Sequence, residues 1–335
     1  MPKHFNIPVF IAESGCPFQC VFCDQRKISG NTHIPSVSDV NKIVAKHLNT
    51  IDWQHNHVEI AFFGGSFTGL PLREQEHYLK TATEFVHAGK VKGIRLSTRP
   101  DYINHEVIDL LSHYPVSAVE LGAQSFDDDV LRQSGRGHTA EQTRLASAML
   151  IEAGFSLVLQ MMTGLPGDTP EKSLNTADEI INLGAAATRI YPCVVIEGTK
   201  LAQLYNNHEY SPQTLDEATH LAARLILKFE AADVKILRVG LHPSEELTSA
   251  TSLIAGPFHP AFREMAESAI WKHRLEAGLD FSADKHLTIY TAANQTAKAA
   301  GYLGKNRKFL EQHFKSVGFK TDSTLQNRTF YADYC

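Results

Sequence analysis

Five cysteines in 335 residues are few and odd in number, which argues against a disulfide framework. No apolar run reaches the length a membrane span requires, and Met1 to Asn6 open no secretory leader. A membrane protein is therefore not expected, and the cytoplasm, where thiols stay reduced, is the expected setting. Charge of one sign is also missing. The 32 Lys and Arg against 37 Asp and Glu leave a net −5, so the molecule is not a polycation and any nucleic-acid contact needs a local basic patch. Seventeen histidines are scattered, and no second C-x-x-C or H-x-x-x-H pair completes a zinc site. Apolar content of 43% and charged content of 21% are ordinary for a globular chain, long enough here for one large domain and a small one.

Three of those cysteines fall together, in Gly15-Cys16-Pro17-Phe18-Gln19-Cys20-Val21-Phe22-Cys23-Asp24. The spacing C-x-x-x-C-x-x-C lets Cys16, Cys20 and Cys23 converge from one loop without long-range folding. Three thiolates leave a [4Fe–4S] cluster one iron short of the usual four protein ligands, so the open iron is free to bind another molecule. Part of a zinc site and a set of buried structural cysteines are the competing readings. Cys193 is isolated, either in the core or facing a substrate, and Cys335 is expected to be a mobile terminus.

Ile7 to Ala12 reads as a strand that delivers the cysteine loop. Further strands are expected at Val58 to Phe63, Ile94 to Thr98, Ala118 to Ala123, Phe155 to Met161 and Thr188 to Ile196. Helical periodicity separates them, over Ser38–Asn49, Leu72–Val86, Val107–Ser112, Thr139–Ala153 and Pro170–Leu183. A helix over Thr214–Ala231 and one more strand over Val234–Val239 follow. Alternating strands and helices imply an α/β domain with parallel strands, as a partial barrel of six β/α units or a full barrel of eight. Polar and glycine-rich clusters follow each strand, so the informative motifs share one rim. Arg238, His242 and Glu245 either line the substrate end of that rim or belong to a solvated loop.

The tail differs. Strands at Leu287–Ala292 and Gly318–Ser323 flank two helices, Gln295–Ala300 and Lys305–Lys315, joined by Gly301-Tyr302-Leu303-Gly304. This order resembles a minimal KH-type fold, whose G-x-x-G loop clamps a nucleic-acid backbone. Residues 285–335 carry eight Lys or Arg and three Asp or Glu, a charge of +5, which leaves −10 for the remainder. On this resemblance Gly301, Gly304, Lys305, Arg307 and Lys308 are the candidate nucleic-acid contacts. A glycine turn before a solvated basic helix is the alternative. The expected division is 1–262 for the barrel with its extension, 263–284 for a connector and 285–335 for a small basic α+β domain.

The cysteine triplet after strand one, with Gly64-Gly65-Ser66-Phe67 after strand two, resembles the radical S-adenosylmethionine superfamily. The resemblance implies that the open iron binds the amine and carboxylate of S-adenosylmethionine. It also implies that one electron cleaves the sulfonium to a 5′-deoxyadenosyl radical. Phe63-Gly64-Gly65-Ser66-Phe67-Thr68, Ser97-Thr98-Arg99-Pro100-Asp101-Tyr102, Glu120-Leu121-Gly122-Ala123-Gln124-Ser125, Arg136-Gly137-His138, Gly164-Leu165-Pro166-Gly167 and the run from Ile190 to Thr199 narrow it. In that order, from about residue 7 to about residue 262, they resemble the radical domain of the Elongator catalytic subunit. They are more distantly similar to oxygen-independent coproporphyrinogen oxidases. The implied fold is a partial (β/α)6 radical barrel with a small KH-like domain.

By the same resemblance Phe22 lies against adenine, while Gly64, Gly65, Ser66 and Ser97 border the cofactor. Gln124 contacts its ribose and Arg136 its carboxylate. Ser97 stands where the porphyrinogen oxidases carry an acidic residue, and Gln160 replaces another after strand five. The Elongator subunit continues into an acetyltransferase domain and begins with a long basic arm, and neither is expected here. The leading expectation is a radical enzyme acting on RNA, with tRNA the candidate, served by a flavodoxin or ferredoxin as electron donor. A radical enzyme acting on a small molecule such as a tetrapyrrole, and a non-enzymatic iron–sulfur RNA-binding protein, are the alternatives.

Overall fold

The computed structural model describes residues 2–11, 20–23, 35–242, 252–282 and 285–335. Cys16 and Glu245 lie outside the described residues. Seven strands form one sheet: β1 (His4–Phe10), β2 (His57–Phe63), β3 (Gly93–Thr98), β4 (Val116–Gln124), β5 (Ser156–Thr163), β6 (Ala187–Pro192) and β8 (Lys235–Val239). They lie side by side in that order, and every neighbouring pair is parallel. The sheet is an open half-barrel with β1 and β8 at its edges, β8 being the further strand expected over Val234–Val239.

The connecting helices are α1 (Val37–Leu48), α2 (Leu72–His87), α3 (His105–Ser112), α4 (Asp128–Gln133), α5 (Ala140–Glu152), α6 (Pro170–Asn182), α7 (Lys200–Asn206) and α8 (Leu215–Ala231). Reciprocal side-chain caps start three of them, with Ser36–Asp39 at α1, Thr139–Gln142 at α5 and Thr214–Glu217 at α8. One sheet face is apolar. Ile7, Val9, Ile60, Phe62, Ile94, Leu96, Val119, Leu121 and Leu159 are buried in the large core they share with the helices. Alternation sends Glu59, Arg95, Ser97, Glu120, Gln160, Arg189 and Arg238 to the other face, which is polar. Parallel strands covered on both faces read as continuous apolar runs. Here the second face is polar, although Glu59, Arg95 and Glu120 on it are themselves buried.

The expected sixth strand, Thr188 to Ile196, divides. β6 stops at Pro192, which has no N–H for the ladder. Val195–Ile196 (β7) pairs instead with Leu253–Ala255 (β9), antiparallel, in a small separate ribbon.

The tail forms a second sheet of β10 (His286–Thr291), β11 (Ser316–Thr321) and β12 (Phe330–Tyr334), in the order β11-β10-β12. β11 is parallel to β10 and β12 antiparallel. β12 was not anticipated, and it changes the reading of the C-terminus. Cys335 is no mobile end, because its N–H donates to the His286 carbonyl at 3.0 Å and its carbonyl accepts from His286 at 2.7 Å.

Residues 262–278 form a helix, α9 (Phe262–Gly278), that belongs to two cores. Phe262, Ala266 and Ile270 join the barrel core. Trp271 and Leu275 join Leu287, Ile289, Leu310, Phe314 and Val317 of the tail. An ionic junction reinforces this wall. Arg328 pairs with Glu230 on α8 and with Glu267 on α9 at 2.8 Å, and Lys298 reaches Glu267 at 3.1 Å. The short helices α10 (Thr296–Ala300) and α11 (Lys305–Leu310) complete the module.

Candidate active site

The cysteine turn is held from two sides. The Val21 N–H donates to the Ser134 carbonyl at 3.0 Å, and the Leu201 N–H donates to the Val21 carbonyl at 2.7 Å. Between these straps, the Cys23 N–H donates to the Cys20 carbonyl at 3.0 Å, closing the turn that carries both thiols. Cys20, Val21 and Phe22 are buried in a cluster with Val130, Met162, Leu165 and Cys193. Cys193 is therefore a core residue, and burial pushes its thiol up to about 12.

Arg136 joins this turn to the rim. One guanidinium nitrogen, Nη1, lies 3.4 Å from Cys20 Sγ, and Nη2 donates to the Gly122 carbonyl at 2.7 Å. Its Nε is buried with no hydrogen-bond partner among the described residues. Gly122 must be glycine for this fork to exist, because an added Cβ would sit 2.6 Å from Arg136 Nη2 and 2.8 Å from Gln124 Nε2. Gln124 adopts a left-handed backbone, with φ of 65°, at the end of β4. Its Oε1 accepts from Gln160 Nε2 at 3.1 Å. The Gln124–Gln160 pair and the Arg136–Cys20 pair thus meet over Gly122.

The motif after β2 sits on the same rim. Gly64 has φ of +95°, and its Cα faces Phe10 and Ile11 so closely that a Cβ would touch Phe10 at 3.3 Å. Ser66 is buried, and Thr68 bonds Thr98 hydroxyl to hydroxyl at 2.6 Å, tying the β2 and β3 loops. Ser97 makes only a long bond, 3.4 Å, to the Phe62 carbonyl. His138 is buried behind Arg136, with its Nε2 3.3 Å from the Ala123 carbonyl. Burial first, then Arg136 and Arg99, push its pKa down to about 3, so the ring stays neutral.

Two residues outside the expected set, Glu120 and Arg189, share the polar face with Arg238, the rim candidate. Glu120 pairs with Arg189 at 2.8 Å, and Arg189 lies over the Phe63 ring at 5.5 Å. Arg238 stands beside Arg189 in the register and donates to the carbonyls of Gly240 and Leu241, both at 3.0 Å. Alternating polar residues within otherwise apolar strands were the signal for them.

The candidate RNA residues lie apart from the cysteine turn, on the tail module. Gly301 is buried, with φ of +87°, and a Cβ there would meet the Asn306 nitrogen at 2.8 Å. The Tyr302 N–H donates to Ser268 Oγ at 2.5 Å, and the Tyr302 ring meets His259 edge-on at 5.4 Å. The turn therefore docks on α9. Gly304 has φ of +71° with open space around it, and Lys305, Arg307 and Lys308 are exposed. Leu303 is 73% exposed.

A half-barrel of parallel strands with a cysteine turn and a glycine-lined rim defines the class. The radical SAM superfamily model matches residues 13–180, half of the chain, and the chain belongs to that superfamily. Its C-terminal domain model matches residues 185–272. The protein is an enzyme, and the cofactors that go with the family are a [4Fe–4S] cluster and S-adenosylmethionine. Among curated relatives, the tRNA uridine(34) acetyltransferase of Methanocaldococcus jannaschii is 28% identical over 196 residues, covering 52% of this chain and 36% of its own length. Elongator complex protein 3 of Saccharomyces cerevisiae is 29% identical over 189 residues, covering 50% and 34%. An uncharacterised protein of M. jannaschii is 30% identical over 231 residues, covering 66% and 70%. The chain thus spans about a third of the two named relatives. In fold it is similar to the archaeal Methanocaldococcus infernus Elp3, with a TM-score of 0.65 at 21% identity over 82% of this chain and 64% of that one. Among the described residues, no helix is long and apolar enough to cross a membrane.

Proposed function

We propose that this chain is a cytoplasmic radical S-adenosylmethionine enzyme that modifies RNA, with tRNA as its substrate class. The carrying observation is the Arg136 fork, which links the Cys20 sulfur to the rim at Gly122. A buried guanidinium beside a thiolate suits a site with an anionic cluster and a carboxylate ligand. Cys16, Cys20 and Cys23 hold the cluster. Arg136, through its unpartnered Nε, and Gln124 orient the carboxylate and ribose of S-adenosylmethionine. Phe22 offers an apolar wall for adenine, and Gly64, Gly65, Ser66 and Ser97 border the remainder. When bound, the two cofactors supply a 5′-deoxyadenosyl radical able to take a hydrogen atom from the substrate. The polar sheet face admits the substrate, and its one-electron donor is of flavodoxin or ferredoxin type.

The tRNA part rests on the names of the relatives and on the +5 tail, where Lys305, Arg307 and Lys308 follow Gly301 and Gly304 in a KH-like order. Anaerobic reconstitution followed by dithionite reduction should release 5′-deoxyadenosine from S-adenosylmethionine; none formed would remove the radical reading. Mass-spectrometric comparison of tRNA nucleosides with and without the protein should reveal a changed nucleoside. Unchanged nucleosides in a chain that still forms 5′-deoxyadenosine would redirect the search to small molecules. Charge reversal at Lys305 and Lys308 should weaken tRNA binding, and an affinity indifferent to it would remove the clamp. Gly301→Asp is no clean test, because its side chain would collide with Asn306.

A further inference from the structure

At the opposite ends of the strands from the cysteine turn, the foot of the polar face carries a second group of metal-ligating side chains. His4 on β1 and His57 on β2 are direct partners in the parallel register, and Glu59 follows His57 by two residues on the same face. Their ligand atoms all lie within 4.8 Å of one another. His4 Nε2 is 2.7 Å from Glu59 Oε2, and His57 Nε2 is 3.8 Å from Glu59 Oε1. The two imidazoles meet edge to face with centroids 4.7 Å apart.

We propose that His4, His57 and Glu59 bind a divalent transition-metal ion of the zinc type, clamping the edge strand β1 onto β2. The proposal is independent of the reaction at the rim. Two imidazole nitrogens and one carboxylate suit zinc and its neighbours, with water as a fourth ligand. Metal bonds of about 2.0–2.2 Å in tetrahedral geometry place ligand atoms roughly 3.3–3.5 Å apart. The observed 2.7 Å from His4 to Oε2 and 3.8 Å from His57 to Oε1 lie either side of that spacing, and rotation of these side chains would gather the three ligand atoms, all within 4.8 Å, around an ion. His57 lies too far from Glu59 to hydrogen-bond with it, and a bridging ion fills that gap.

The carboxylate is already oriented. Glu59 is buried, and the Ser117 hydroxyl donates to its Oε1, the kind of outer bond that fixes a ligating carboxylate. The imidazoles face water, with side-chain exposures of 33% for His4 and 50% for His57, so an ion has a path in. One neighbour opposes binding. Arg95 Nη1 lies 3.4 Å from Glu59 Oε2 and offsets its charge. The expected affinity is therefore micromolar rather than that of a closed structural site.

The test uses the cluster-loaded full chain, so that the cysteines are occupied, and zinc as probe. Calorimetry should find one zinc per chain. His4→Gln and His57→Gln should each weaken it at least tenfold, while the exposed His87→Gln should leave it unchanged. Both ring substitutions are at water-facing side chains, and the unfolding midpoint without zinc checks that the fold is kept. Zinc should raise that midpoint in the wild type and not in His57→Gln. X-ray absorption should show only nitrogen and oxygen neighbours. No binding, binding indifferent to both histidines, or a sulfur shell would each overturn the site.

Discussion

Replacing Arg328 by methionine should unlock the tail module from the barrel, and the size of the effect follows from its partners. Arg328 bridges Glu230 on α8 and Glu267 on α9, and the Glu267 side chain is only 3% exposed. The Glu230 half of the bridge is 40% exposed and contributes at most about 1 kcal/mol. The Glu267 half is different, because breaking a buried pair from one side costs about 3–5 kcal/mol. Lys298 remains at 3.1 Å to compensate in part, so the expected total loss is about 3 kcal/mol. Urea unfolding measures it, and a double-mutant cycle with Glu267→Gln isolates the pair at roughly 2 kcal/mol of coupling. The pH dependence carries a sign. Burial raises the Glu267 carboxyl, but Arg328 and Lys298 outweigh it and hold the group below its ordinary 4.5. The junction is complete above that pH and is lost as the pH falls through the lowered value. A loss below about 1 kcal/mol, or strict additivity in the cycle, would refute the reasoning.

At the rim, Gly122→Ala should push Arg136 off the Gly122 carbonyl, removing a charge-assisted bond of about 1.5–3 kcal/mol. S-adenosylmethionine binding to the cluster-loaded protein should fall at least tenfold by calorimetry. His138 is neutral in the folded protein and titrates near its ordinary 6.5 when unfolded. Acidification from pH 7 to pH 5 should therefore cost about 2 kcal/mol by urea unfolding, a loss that His138→Gln should remove. Alkylation of the native protein by iodoacetamide at pH 8 should label exposed Cys335 and spare Cys193, whose thiol is pushed up to about 12; peptide mass mapping reads both.

Local chemistry made much of the fold legible. The helix expected over Thr214–Ala231 matches α8 within one residue, and glycines after β2 and β5 mark the rim. What escaped was set by long-range pairing. Val195 and Ile196 read as a continuation of β6, and only the distant Leu253–Ala255 draws them into another sheet. Phe330–Tyr334 lacks a strong period-two pattern and becomes a strand because β10 offers an edge. At the site, Arg136 followed from a resemblance, but its bond to Cys20, 116 residues away, required the folded chain. Glu120, Arg189 and Arg238 interrupt apolar strands with charge, and the fold brings them together on the sheet's polar face.

The helix shared by the two cores has a consequence for reach. Its 17 residues make a rod of about 25 Å. One end is seated where a Cβ on Gly240, just past the end of β8, would meet Phe262 at 2.9 Å. The other is locked into the tail by Trp271 and Leu275. If the tail grips RNA as proposed, the polymer would be held at an offset from the rim set by this helix. Adding or removing residues within this rod would rotate the basic turn by about 100° per residue as well as shift it. The yardstick, rather than pocket shape alone, would select which position along the polymer arrives at the rim.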